Sequence, residues 1–109
     1  NVIKIGALAQ ASYVSVVPHN PLSCVLTAAC AQIDGVLQNV PLQEYPRDDN
    51  TGIKADLVKE PLKREGGYLI IPDKPGLGIE LNEEAFQHYP VVAYDRPPMI
   101  YEDGSLKDY

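Results

Sequence analysis

At 109 residues, 45% of them apolar, the chain can build one small hydrophobic core, and it is neither polar enough to stay unfolded nor apolar enough to live in a bilayer. Fifteen acidic residues against nine basic ones give a net charge of −6, which argues against nucleic acid or an anionic membrane as partner, because either would want a clustered positive face. No apolar run approaches the roughly 18 residues of a spanning helix, and no secretory leader pattern is present.

In chain order, Val2, Ile5, Leu8 and Ala9 recur at helical spacing, so residues 1 to about 12 are predicted as an amphipathic helix. A chain that opens on Asn1 inside such a helix is expected to be part of a longer protein. Tyr13 to Val17 is a β-branched, apolar run stopped by Pro18 and reads as a buried strand. Asn20-Pro21-Leu22-Ser23 supplies a turn, with Ser23 as N-cap of an Ala-rich helix from Cys24 to about Leu37. Leu42 to Tyr45 is a second short strand, stopped by Pro46. Cys24 and Cys30 fall on different faces of one helix, too far apart to bridge, and read as reduced core residues of a cytoplasmic protein.

The order helix, strand, helix, strand favours parallel strands joined by right-handed crossovers. Two parallel strands do not make a stable sheet, whereas a (β/α)8 barrel takes about 250 residues, so this α/β pattern fits the C-terminal quarter of a TIM-type barrel. Past Arg47 the character changes. Asp48 to Gly52 is a polar loop, Leu57 to Pro61 a short amphipathic stretch, and Glu65-Gly66-Gly67 a turn into a strand from Tyr68 to Ile71. A rigid loop from Pro72 to Gly78 leads to an extended Ile79 to Leu81, and Asn82 is placed to cap a short helix from Glu83 to about His88. The Pro-, Tyr- and Asp-rich segment 90–109 has no clear period. The division expected is 1–47 for the barrel, 48–89 for an extension packing on it, and 90–109 for a tail.

Two residues stand where such barrels keep their chemistry, at the C-terminal ends of strands: His19 and Glu44. A lone loop histidine is often structural, and a glutamate at a strand terminus can simply face water. Together, on neighbouring strands roughly 5 Å apart, they could reach one ligand. His88 sits on a polar helix face and reads as solvated, and the Asp48, Asp49 and Asp56 cluster fits no calcium loop and reads as a solvated acidic stretch. Pro75-Gly76-Leu77-Gly78 lacks the Gly-Lys-Ser/Thr ending of a phosphate loop and is better explained by a connection with positive φ at its glycines.

Val16-Val17-Pro18-His19-Asn20-Pro21-Leu22, an Ala-rich helix, Leu42-Gln43-Glu44-Tyr45-Pro46, and Ile71-Pro72-Asp73-Lys74-Pro75-Gly76-Leu77-Gly78-Ile79-Glu80-Leu81 follow one another at spacings that resemble the mandelate racemase branch of the enolase superfamily, close to its galactonate dehydratase-type sugar-acid dehydratases. The resemblance runs from Asn1 to about Tyr89. It implies a magnesium-dependent hydro-lyase that removes the proton α to the carboxylate of a sugar acid and expels the β-hydroxyl, giving a 2-keto-3-deoxy acid. It implies His19 as the base at the end of the seventh strand, and Glu44 as the eighth-strand residue that donates a hydrogen bond to the substrate carboxylate. In the family, the Mg2+ ligands and an aspartate that orients the histidine lie on earlier strands. No metal ligand is therefore expected within these 109 residues, which alone should be inactive. The protein as a whole is expected to be homo-oligomeric. A racemase or epimerase of 2-hydroxy acids shares the His and Glu and is the alternative, with a non-catalytic barrel piece as the third reading.

Overall fold

A computed structural model describes residues 1–94 and 99–106. Its elements in chain order are α1 (Val2–Ala11), α2 (Cys24–Asp34), α3 (Gly52–Asp56), β1 (Arg64–Glu65), β2 (Tyr68–Leu69) and α4 (Ala85–His88). Helix α1 forms where the apolar spacing predicts it, yet only Gly6 is buried, and Ile5 and Leu8 remain exposed. The helix ends in a Schellman arrangement. The Val14 N–H donates to Ala9 O at 2.9 Å and the Tyr13 N–H to Gln10 O at 3.0 Å. This puts Tyr13, a bulky residue, at φ 57 where glycine is usual, with its ring fully in solvent.

Tyr13 is thus a helix cap and not the start of a strand, which corrects the strand expected from 13 to 17. Residues 14–17 and 42–45 run extended but form no ladder, and Val14, Val17 and Leu42 are exposed where a buried strand was expected. The first segment is tied to the approach of the second by the Val16 N–H, which donates to Asn39 O at 2.9 Å. The Asn39 amide donates to Gly6 O and Val14 O at 3.1 and 2.8 Å. The reason is physical: a parallel strand satisfies its backbone through partners on both sides, and these two segments have only each other.

The core gathers around α2. Ala28 and Ala31 pack with Leu62, and Leu69 and Ile79 close over them. Small side chains on one face of α2 let the chain past Arg47 approach closely, so buried area is won by proximity and not by bulk. Ser23 sits at the N-cap position of α2, but its hydroxyl makes no capping bond. With a radius of gyration of 17.3 Å against about 13 Å for a compact domain of this length, the chain is open, and much apolar surface stays uncovered.

Beyond residue 47, a tight hairpin joins β1 to β2 antiparallel, Arg64 opposite Leu69 and Glu65 opposite Tyr68. Its two-residue loop is Gly66-Gly67, both at positive φ, the geometry that a type I′ turn demands. The strand expected from Tyr68 to Ile71 is therefore shorter, and has a partner that was not foreseen. Residues 57–59, expected as an amphipathic stretch, instead follow α3 and pair with 80–82 through a bridge between Val58 and Leu81. Asn82 does not cap α4: its side chain donates to Asp56 O at 3.0 Å, and the helix begins three residues later. In the tail, Ile100 bridges Leu106 around a turn in which Asp103 accepts from the Ser105 N–H at 3.0 Å. The remainder of that tail, residues 95–98 and 107–109, lies outside the described residues. Among the described residues, no helix is long and apolar enough to cross a membrane.

Gly76 and Gly78 both take positive φ, 67 and 74, as the Pro-Gly-Leu-Gly pattern predicts. Gly78 is doubly constrained, because a Cβ there would lie 2.1 Å from the Pro72 ring, a group that cannot swing aside. Gly78→Ala is expected to cost about 2–4 kcal/mol, the sum of a left-handed backbone penalty and overpacking. Gly66→Ala, at similar φ with nothing within 4 Å of the new carbon, should cost only the backbone part. Chemical denaturation of the full-length protein carrying each change checks the ranking, and equal losses would contradict it.

Candidate active site

Pro18 is buried and ends the first extended segment, so His19 is the first side chain free to project beyond it. Glu44 lies near the end of the second segment, one residue before Tyr45. The two meet: His19 Nδ1 lies 2.7 Å from Glu44 Oε2. The Asn20 backbone N–H donates to the same carboxylate oxygen at 2.6 Å. The pair lies at the surface, with the His19 side chain 77% and the Glu44 side chain 43% exposed.

The Asn20 N–H first, and the His19 ring second, hold the Glu44 carboxyl below the ordinary glutamate range. At neutral pH the group is therefore a carboxylate, which can only accept. Nδ1 must then carry the hydrogen of that 2.7 Å bond, and in the neutral ring Nε2 is left with its lone pair. This arrangement can take up a proton at Nε2 while a fixed negative charge waits behind the ring.

Behind the pair lies a polar cluster that the sequence reading missed. Asn20 is fully buried, and its amide donates to Thr27 Oγ1 at 2.8 Å and to Glu44 O at 3.1 Å. Gln43 donates to Glu44 O at 2.6 Å and to Pro18 O at 3.3 Å. Thr27, buried in the first turn of α2, also bonds back to Ser23 O at 3.3 Å. The signal available in the sequence was a lone threonine among alanines on the buried face of a helix, seven residues after an asparagine read only as a turn former.

The other candidates separate from this site. His88 is exposed at the end of α4. Asp48 pairs with Lys54 at 2.8 Å, and Asp56 accepts from the Tyr89 hydroxyl at 2.5 Å. Asp49 departs from the solvated reading: it is 1% exposed and its Oδ1 has no hydrogen-bond partner. Its N–H donates to Pro46 O, and that turn carries the side chain inward. Both cysteines are free and buried. Burial first, and the Asp49 charge second, push the Cys24 thiol up; burial and then Asp34 do the same for Cys30. Neither thiol is set up as a nucleophile. Among the described residues, no three His, Cys, Asp or Glu side chains are grouped to hold a metal, so these residues do not fit a magnesium site.

Comparison with known proteins places the chain in a family. Residues 1–85 match the family described as enolase C-terminal domain-like. A D-galactonate dehydratase of Cronobacter sakazakii is 38% identical over 97% of this chain and 30% of its own length. Among solved structures, a Burkholderia SAR-1 protein assigned to the mandelate racemase/muconate lactonizing enzymes superposes with TM-score 0.78 at 33% identity, over 85% of this chain and 23% of that one. A Burkholderia xenovorans protein assigned as an L-alanine-DL-glutamate epimerase, bound to magnesium and fumarate, gives 0.73 at 32% identity, over 80% and 21%. The chain thus spans about 30% of the length of the curated relatives it matches. With 85 of its residues under one family description and relatives of the same group on both sequence and structure, the chain belongs to the enolase C-terminal domain-like family, whose members are TIM-type barrel enzymes of the mandelate racemase and muconate lactonizing group.

Proposed function

We propose that this chain supplies the last two staves of the barrel of a magnesium-dependent sugar-acid dehydratase, with residues 1–47 forming the staves, 48–89 packing on them and 90–109 as a tail. The observation that carries the reading is the 2.7 Å contact between His19 and Glu44 at the ends of adjacent extended segments. The D-galactonate dehydratase relatives support an aldonate as substrate. The uncovered apolar face of α1 suits a helix that packs on further barrel elements.

In this reading His19 Nε2 takes the proton α to the substrate carboxylate, and its electron pair passes into an enediolate. Collapse of the enediolate expels the β-hydroxyl, which leaves as water once protonated. The resulting enol gives up its C2 hydroxyl proton as C3 takes one, and becomes the 2-keto-3-deoxy acid. Glu44 lies against the imidazole and offsets part of its charge after proton uptake, while orienting the ring falls to the earlier-strand aspartate that the resemblance implies. The donor role that the resemblance implies for Glu44 requires a proton on it, which an approaching substrate carboxylate would favour and the isolated pair does not. Magnesium, which would stabilise the enediolate, is held outside the described residues. The whole protein is taken to be a cytoplasmic homo-oligomer acting on small molecules.

The test is an assay of the full-length protein on a panel of aldonates, with and without magnesium, reading the 2-keto-3-deoxy acid formed. A magnesium-dependent product from one aldonate is the expected result, and no keto acid from any of them overturns the proposal. The epimerase neighbour favours a second reading, racemisation, which would show as exchange of the α-hydrogen for deuterium without loss of water.

A further inference from the structure

The two groups of the candidate pair lie on separate segments, the first joined to the approach of the second by a single backbone hydrogen bond. Something must set how far one segment stands along the other, because a slip of one residue would carry Glu44 away from His19. The polar cluster under the pair has the right connections. Asn20 reaches Glu44 twice, from its backbone N–H to Oε2 at 2.6 Å and from its side chain to the main-chain oxygen at 3.1 Å. The same amide is anchored on Thr27 at 2.8 Å, and Thr27 on Ser23 O at 3.3 Å within the first turn of α2. Asn20 and Thr27 are both fully buried, so the bond between them competes with no solvent, and losing either partner leaves a desolvated group behind.

We propose that Asn20, anchored by Thr27, is the positioning residue that locks the two segments in register and holds the Glu44 carboxylate against the His19 ring. The assignment rests on the dehydratase reading for its effect on turnover, but its geometric content stands without it. The helix fixes the threonine, the threonine fixes the asparagine, and the asparagine fixes the glutamate beside the base. Neither Asn20 nor Thr27 touches the reacting atoms. Their removal should therefore disturb the transition state more than the capture of substrate.

The experiment uses the full-length protein carrying Asn20→Ala, Thr27→Val or Thr27→Ser. Asn20→Ala removes the amide, Thr27→Val keeps the volume and removes the anchor, and Thr27→Ser keeps the hydroxyl. Asn20→Ala and Thr27→Val are expected to lower kcat on the order of 10–10²-fold with KM little changed, and Thr27→Ser to restore most of the loss. Should Asn20→Ala not fold, the valine and serine pair decides alone. A fall in melting temperature with kcat per folded molecule intact, or valine and serine behaving alike, would overturn the assignment. If the wild-type protein turns over no aldonate, the dehydratase reading fails by itself. The register claim is then read from the titration of the 13C-labelled Glu44 carboxyl. Its midpoint should rise in Thr27→Val, as the residue 20 N–H is no longer held on Oε2, and an unmoved midpoint overturns it.

Discussion

Replacing His19 with asparagine should lower turnover of the full-length protein by about 10²–10⁴-fold, the usual worth of a positioned general base. Asparagine is the informative choice because its amide N–H can reach Glu44 Oε2 much as Nδ1 does, so the carboxylate keeps a partner and the fold is spared. What disappears is Nε2, the ring atom proposed to take the proton from substrate. The melting temperature should hardly change, since the substituted amide keeps the bond to Glu44. Full activity in the variant, measured as keto acid formed per active site, would remove His19 from the mechanism.

The second large effect is expected from Glu44→Gln. The amide is isosteric and can still accept from the Asn20 N–H, but it carries no charge to face the imidazolium that forms when the base has taken its proton. Loss of a carboxylate behind a histidine base typically costs on the order of 10²-fold or more in kcat. The same residue gives a pH signature. Because Glu44 sits below the ordinary glutamate range in the folded chain, its contacts stabilise the fold above the unfolded-state value of about 4.3, and that contribution is lost as pH falls through the lower folded value. The wild-type protein should therefore lose stability over that acid window, and Glu44→Gln should lose less. A Glu44 carboxyl that titrates at or above the ordinary value would contradict the geometry.

The helices were legible because apolar spacing marks helical turns even where the face stays open: α1 and α2 lie where Val2, Ile5 and Leu8 and the alanine run put them. The pairing of His19 with Glu44 was legible for another reason, since each residue lies at the end of an apolar segment stopped by a proline, and segments that lie side by side bring such ends together without a ladder. The extended segments themselves misled. Val14, Val17 and Leu42 have the composition of buried strands, but composition states a preference for neighbours, and here those faces are open. Tyr13 could not be read as a left-handed cap, because a tyrosine almost never takes that place. Asp49 was misjudged because local polarity says nothing of a turn that folds inward. The Asn20 and Thr27 link spans residues that sequence patterns treat one at a time, and only coordinates join them.

The hairpin bears on this arrangement from outside. Arg64, on β1, lies with its guanidinium 4.7 Å from the centre of the Tyr45 ring, one residue past Glu44. The chain beyond residue 47 thus grips the second segment by a flat cationic hand laid on an aromatic face, a contact that resists sliding but tolerates tilting. Length changes at the Gly66-Gly67 tip would leave that hand in place, whereas an aliphatic residue at 64 would free the tyrosine ring and uncouple the hairpin from the backbone beside Glu44. The hairpin is in this way a brake on the segment that carries Glu44.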